Sequence, residues 1–255
     1  MAKAAAKPAL RLYLTGRLIA ELGDKRFDER RLPGRQGRRA LVFLALERAR
    51  PVPIDEMADA VWDTSTPAGA WETALSAIIS KLRALLKPFG ATIPTVAGCY
   101  QLTLPPHAWV DVEEARRTLD QAESYVRAGR FADAWGPSNV AASIAARPLL
   151  AGVDAEWIAR ARSELRDVRV RALECLAAVA SSNKEFPLAA QLARDVVALE
   201  PFRETGWQKL MRALADGGNR AEAMRAYASC RDLLQKELGV PPAKETDAIV
   251  KSLRG

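Results

Sequence analysis

Histidine is almost missing: His107 is the only one in 255 residues. Without a second histidine, most histidine-based triads and zinc sites are excluded. His107 itself follows two prolines in a short connecting run and reads as surface filler. Cysteine is sparse as well. Cys99, Cys175 and Cys230 are far apart, odd in number and fit no metal-ligand spacing, so reduced thiols in a cytoplasmic chain are expected. No apolar run reaches the length of about 18 residues that a membrane span needs. The opening MAKAAAKPAL has positive charge but no apolar signal-peptide core, so residues 1–9 read as a flexible tail. Phosphate-binding Walker loops, G-x-S-x-G and metal clusters are also absent. The carboxylates are spread among Arg and Lys on helix faces, as on a solvated surface. Neither enzyme activity nor a cofactor nor a metal is expected.

What is present is apolar content and unevenly placed charge. Hydrophobic residues make up 49% of the chain, ample for packed cores, and the length suits about two domains. The net charge is +7. Residues 1–108 hold 16 Lys/Arg against 10 Asp/Glu, while residues 109–255 hold 22 against 21. A basic excess confined to the first part favours a polyanionic partner, nucleic acid first.

One stretch organises that first part: residues 67–87, PAGAWETALSAIISKLRALLK. Trp71, Leu75, Ile78, Ile79, Leu82, Leu85 and Leu86 recur at helical spacing and form one apolar stripe. Thr66 is placed as N-cap, Pro67 in the first turn, and Pro88 with Gly90 as the stop. The opposite face carries Thr73, Ser76, Ala77, Ser80 and Ala84, with Lys81, Arg83 and Lys87 toward the C-terminal half. A narrow, small, polar face of this kind fits a major groove about 12 Å wide, although many ordinary surface helices look the same.

The neighbours of this helix sharpen the reading. Leu10–Ala20 alternates apolar and polar residues as a strand does, with Gly16 as a bend or bulge, and two more short strands are expected around Gly23-Asp24. A largely buried helix is expected from Gly37 to Arg48, with Arg35, Arg38 and Arg39 crowding its first turn. Helix N-termini disfavour positive charge, so these arginines suit an approaching phosphate; solvated arginines paired with carboxylates are the alternative. A short helix follows at 54–62. Trp62 and Trp71 are expected in the core. After the organising helix, Ala91–Leu104 reads as two strands around Val96-Ala97-Gly98. Strands, helix, helix, long helix and hairpin are the order of a winged helix, whose third helix enters the major groove. This α+β domain is expected over 10–104, followed by a stiff linker at 105–108.

From 109 to 255 the composition turns to Ala, Leu, Arg and Glu with helical periodicity. Helices are expected at 112–128, 131–146, 153–181, 187–199, 203–215, 220–237 and 244–253. A partial repeat runs through them: Gly129-Arg130-Phe131 leads to Ala134, Lys184-Glu185-Phe186 to Ala189, and Gly218-Asn219-Arg220 to Ala223. These offsets match a tetratricopeptide-like all-α domain. Gly136-Pro137 is expected to break the first helix pair.

Taken together, the chain resembles the Streptomyces antibiotic regulatory proteins, whose second half is the bacterial transcriptional activator domain. The resemblance rests on Leu44, Met57 to Trp62, Leu75 with Ser80-Lys81-Leu82-Arg83, Gly98 to Leu102 and Val110-Asp111. It rests most on Ala226-Tyr227 through Leu233-Leu234, Glu237 to Pro242, and Glu245-Thr246. It implies a transcriptional activator that binds promoter repeats in double-stranded DNA, recruits RNA polymerase through loop 63–70 and self-associates on DNA. The candidate DNA-binding residues are then Arg35, Arg38, Arg39 and Lys87 for phosphates, and Thr73, Ser76, Ser80 and Lys81 for base edges, with Arg83 able to reach either. The competing reading is an interaction scaffold whose helical repeats are the working surface, favoured by the arginine-poor reading face.

Overall fold

The computed structural model describes residues 9–62 and 71–254. Thr66, Pro67, loop 63–70 and nearly all of the tail lie outside the described residues. The chain divides into two compact units, Met1–Glu114 with Arg147–Ser163, and Ala115–Ala146 with Glu164–Gly255.

The first unit opens with β1 (Arg11–Tyr13), β2 (Ile19–Leu22) and β3 (Lys25–Asp28), all antiparallel neighbours. The expected single strand at 10–20 is therefore a hairpin. Leu10, Leu12, Leu14, Leu18 and Ala20 are all buried, so the period-2 pattern continues in phase through the turn at Gly16 and hides it. A fourth strand, β7 (Trp109–Val110), pairs in parallel with β1 and gives the order β3-β2-β1-β7. Between β3 and β7 come α1 (Gly34–Leu46), β4 (Val52–Pro53), α2 (Ile54–Trp62), α3 (Trp71–Leu86), β5 (Thr95–Val96) and β6 (Cys99–Tyr100). Strands β4, β6 and β5 form a second small sheet in that order. Helix α1 starts three residues before the expected Gly37. Gly37 lies against the Pro33 ring, where an added Cβ would fall 2.4 Å from a ring carbon.

Two features tie later sequence into this unit. Pro105-Pro106-His107-Ala108 is a hydrogen-bonded turn, with the Ala108 amide donating to the Pro105 carbonyl and His107 at φ 63°. The chain then runs through β7 to Asp111, which is 0% exposed. The Asp111 carboxylate accepts from the Leu14 amide (2.9 Å), the Thr15 amide (2.9 Å), the Thr15 hydroxyl (2.7 Å) and the Val112 amide (2.8 Å). A carboxylate also suits this position electrostatically, because Asp111 begins α4 (Asp111–Arg127). Residues 147–163 supply the second tie. The Gly16 amide donates to the Pro148 carbonyl at 2.7 Å. The Trp157 indole donates to the Ala60 carbonyl at 3.0 Å and meets the Phe43 ring edge-on, with centroids 5.1 Å apart.

The second unit is helical: most of α4, then α5 (Phe131–Ala145), α6 (Glu156–Ser182) from Glu164 onward, α7 (Phe186–Leu199), α8 (Glu204–Asp216), α9 (Arg220–Leu238) and α10 (Lys244–Arg254). The partial repeat read from the sequence is a repeat of backbone geometry. The turns before α5, α7 and α9 carry Gly129 (φ 69°), Lys184 (φ 61°) and Gly218 (φ 82°), all left-handed. Each uses the same bonds. Arg130, Glu185 and Asn219 amides donate to Tyr125, Ala180 and Leu214 carbonyls, and Ala134, Ala189 and Ala223 amides donate to Arg130, Glu185 and Asn219 carbonyls. This is the six-to-one closure of a Schellman turn. Those three alanines are fully buried, so the paired helices approach where a larger side chain would not fit.

The Gly136-Pro137 break does not occur: α5 is continuous through Pro137. Proline costs the helix one ladder bond. Close by, the Ser138 hydroxyl donates to the Ala134 carbonyl (2.7 Å) and the Asn139 amide side chain to the Trp135 carbonyl (2.9 Å), adding local bonds on this stretch.

The C-terminal motif has a structural reason. Gly239 ends α9 in the left-handed conformation. The Glu204 carboxylate accepts from the Ala243 amide at 2.9 Å and the Thr246 hydroxyl at 2.5 Å, and so closes the start of α10.

Candidate nucleic-acid interface

Helix α3 separates its two faces cleanly. Leu75, Ile79, Leu82 and Leu86 are buried, and Trp71, Ile78 and Leu85 are half-buried. Burying each of these leucines contributes about 1.5–3 kcal/mol, which fixes the rotation of the helix. Thr73, Ser76, Ala77, Ser80, Lys81 and Ala84 are left exposed, as is Lys87 just beyond the last turn. The offsets from 73 through 76, 80, 84 and 87 keep them on one stripe. The face is small, hydroxyl-rich and cationic toward its C-terminal end. Trp62 is half-buried like Trp71, so neither is a fully enclosed core residue.

The hairpin β5–β6 stands beside α3. Its turn has Ala97 (φ 49°) and Gly98 (φ 73°), the left-handed pair of a type I′ turn. Strand β6 is held by β4 through Val52 opposite Tyr100. Strand β5 is the outer strand, with Thr95 opposite Tyr100. Arg83 of α3 reaches this hairpin. Its Nε donates to the Ile93 carbonyl at 2.7 Å and its Nη2 to the Thr95 hydroxyl at 2.6 Å. The guanidinium also lies 6.0 Å from the centre of the Tyr100 ring.

The arginines at the start of α1 separate into three cases. Arg35 is exposed. Arg38 is half-buried and pairs with Glu29 at 3.3 Å. Arg39 is 6% exposed, and its guanidinium donates to the carbonyls of Val61 (3.0 Å) and Asp154 (3.2 Å). The expectation that Arg39 holds phosphate is corrected. It is an internal brace that satisfies backbone acceptors from α2 and from the 147–163 segment. A cluster of arginines reads as surface in the sequence, and its acceptors lie 22 and 115 residues away.

Other cations of the basic part are also committed. Arg48 forms a two-point pair with Glu113 and Arg50 is shared by Glu47 and Glu56. These carboxylates raise the pKa of both arginines, and the Arg50 bond holds the Glu56 carboxyl below its usual range. The exposed cations that sequence reasoning left out include Lys25, Arg30 and Arg31. The Lys25 ammonium donates to the Pro88 carbonyl at 3.1 Å, next to Lys87. Arg30 and Arg31 directly precede the segment that was singled out, and an adjacent basic pair was signal enough to include them. Among the described residues, no cluster of His, Cys, Asp or Glu can hold a metal ion, and no helix is long and apolar enough to cross a membrane.

A winged helix joined to tetratricopeptide-like helices is the build of a class of bacterial transcription regulators. The model of the bacterial transcriptional activator domain matches residues 110–254, and the chain belongs to this family, in the group of Streptomyces antibiotic regulatory proteins. The regulatory protein AfsR of Streptomyces coelicolor is 29% identical over 207 residues, covering 81% of this chain and 20% of AfsR. The regulatory protein DnrI of Streptomyces peucetius is 27% identical over 229 residues, covering 82% of this chain and 80% of DnrI. The chain thus spans about a fifth of the length of the AfsR protein it matches. The structure of Mycobacterium tuberculosis EmbR in complex with a low-affinity phosphopeptide superposes with a TM-score of 0.86 at 21% identity, covering 97% of this chain and 65% of that one. That likeness establishes the shared fold. The sequence relatives are transcriptional regulators.

Proposed function

We propose that this chain is a sequence-specific DNA-binding transcriptional activator. Helix α3 reads promoter repeats in double-stranded DNA, and the protein recruits RNA polymerase and self-associates on the DNA. The observation that supports this best is the exposed stripe of Thr73, Ser76, Ser80 and Lys81, left open by the burial of the opposite face. Arg35 stands in the first turn of α1, so a phosphate oxygen there finds a cation at the positive end of the helix dipole. Lys87, and Lys25 beside it, suit the backbone near the far end of α3. Recruitment of polymerase falls by family resemblance to loop 63–70. A cytoplasmic setting follows from the same reading.

The test is fluorescence anisotropy with promoter fragments from the genomic neighbourhood across a salt series. Arg35→Ala is expected to weaken binding to all sequences and to reduce the salt slope by about 1. Lys81→Ala is expected to relax preference at one position of the site, a loss of about 1–3 kcal/mol. No binding at low salt, where the electrostatic contribution is greatest, sinks the proposal and favours the interaction scaffold. One observation keeps that second reading in view: with Arg83 turned to the hairpin, Lys81 is the only long donor left on the central reading stripe. Transcription in vitro with purified polymerase tests the activator step separately.

A further inference from the structure

Arg83 sits on the reading helix, yet its donors are directed away from the open stripe. Its Nε bonds the chain leading into β5 at Ile93, and its Nη2 bonds β5 itself at Thr95. The ring it approaches, Tyr100, belongs to β6 and is the register partner of Thr95. One side chain therefore meets both strands of the hairpin at the same rung. The hairpin needs such a support. Its strands are two residues long, with the pairing continued by a Gln101–Pro94 bond and a Thr92–Thr103 bridge, and a ribbon this short has little stability of its own. Strand β6 gains a second neighbour in β4, but β5 is the edge of the sheet. Among the described residues, the Arg83 bond to Thr95 joins α3 directly to β5. Arginine suits this place because its planar group fixes two bonds at once, which an ammonium on a flexible stem does not.

We propose that Arg83 is a positioning residue: it sets the height and angle of the β5–β6 wing against α3, so that helix and wing engage a duplex together, and it does not read a base itself. This rests on the DNA-binding function proposed above. Two surfaces held in a fixed relation bind as one, the second contact following at high effective concentration; when the relation loosens, that advantage is lost.

The experiment has two arms. In the free protein, amide hydrogen exchange is followed for the wild type and for Arg83→Lys, with urea stability measured alongside. Exchange of the wing amides around Thr95 and Tyr100 is expected to rise about tenfold in Arg83→Lys while α3 stays protected. Unchanged wing exchange overturns the proposal. In the second arm, promoter affinity is measured for the wild type, Arg83→Lys, Thr95→Val and the double variant. Each single change is expected to weaken binding about tenfold, and the double variant to be no weaker than Arg83→Lys alone, because both act through one bond. Arg83→Ala is expected to leave the salt slope unchanged. Additive losses, or a slope reduced by about 1, mean that Arg83 touches the DNA and overturn the positioning role. If the wild type itself fails to bind at low salt, the DNA-binding function falls and this role falls with it, even where the exchange arm shows the brace.

Discussion

Replacing Asp111 with alanine is the sharpest probe of how the first unit is closed. The carboxylate is fully buried and accepts four hydrogen bonds, three of them from Leu14 and Thr15, nearly a hundred residues earlier in the chain. A bond to a charged acceptor contributes about 1.5–3 kcal/mol, and an orphaned buried donor costs about 1–3 kcal/mol. Removing the carboxylate strands three amides and a hydroxyl, while the desolvation penalty of the charge itself is relieved. The net loss is about 4 kcal/mol, a large share of the roughly 5–15 kcal/mol that holds a domain together. Tryptophan fluorescence during urea unfolding suits the measurement, because Trp62, Trp71, Trp109 and Trp157 belong to the first unit and only Trp135 and Trp207 to the second. With a slope of about 2 kcal/mol per molar urea, the midpoint should fall by about 2 M. Asp111→Asn should lose nearly as much, since its amide nitrogen presents donors where only acceptors are useful. A fall below about 0.5 M for Asp111→Ala refutes the reasoning, because it means that water or a shifted backbone satisfies the same donors.

Lys184 adopts φ 61° at a turn where its two counterparts are glycine. Lys184→Gly should therefore stabilise the second unit by roughly 0.5–1 kcal/mol in urea unfolding, the relief of a left-handed lysine less the added chain entropy. The Arg171 guanidinium bonds both oxygens of Glu123 at 2.8 Å and holds that carboxyl below its usual 4.5. A lowered carboxyl contributes stability that is complete above pH 4.5 and lost as the pH falls through the folded value, so Glu123→Gln should be destabilising at pH 7 and approach the wild type only once the pH has fallen below that lowered value. Burial pushes the Cys175 thiol up to about 11 and the Cys230 thiol up to about 12. A thiol reagent at pH 8 should label the half-exposed Cys99 within minutes and the other two only after denaturant is added.

Helices were legible because their signal is local. The apolar stripe of α3 and the left-handed turns before α5, α7 and α9 are written in a few neighbouring residues. The same holds for the exposed hydroxyl stripe of the candidate interface. What escaped depends on distant partners. Gly16 reads as a bend in one strand rather than as a hairpin turn, because the alternation of Leu10 to Ala20 stays in phase across it. Pro137 reads as a breaker in any local window. The partners of Arg39 and Arg83 could not be read, since the carbonyls of Asp154, Val61 and Ile93 leave no mark in the sequence as acceptors. Nothing in residues 147–163 announces an attachment to α1 and α2, although Trp157 is the one aromatic residue of that stretch.

Gly218 follows Lys184 by 34 residues, but Lys184 follows Gly129 by 55. The longer interval contains the 147–163 excursion that completes the first unit. Exchange of the whole first unit between relatives therefore takes more than one crossover. A hybrid joined once near residue 108 pairs a foreign α1 with the resident Trp157, and the foreign counterpart of Arg39 with the resident Asp154 carbonyl. Recombination that respects this architecture needs three junctions, at both ends of the excursion as well as near residue 114; given the DNA-binding function proposed above, new specificities in such a lineage should arise by point changes on α3 more readily than by shuffling.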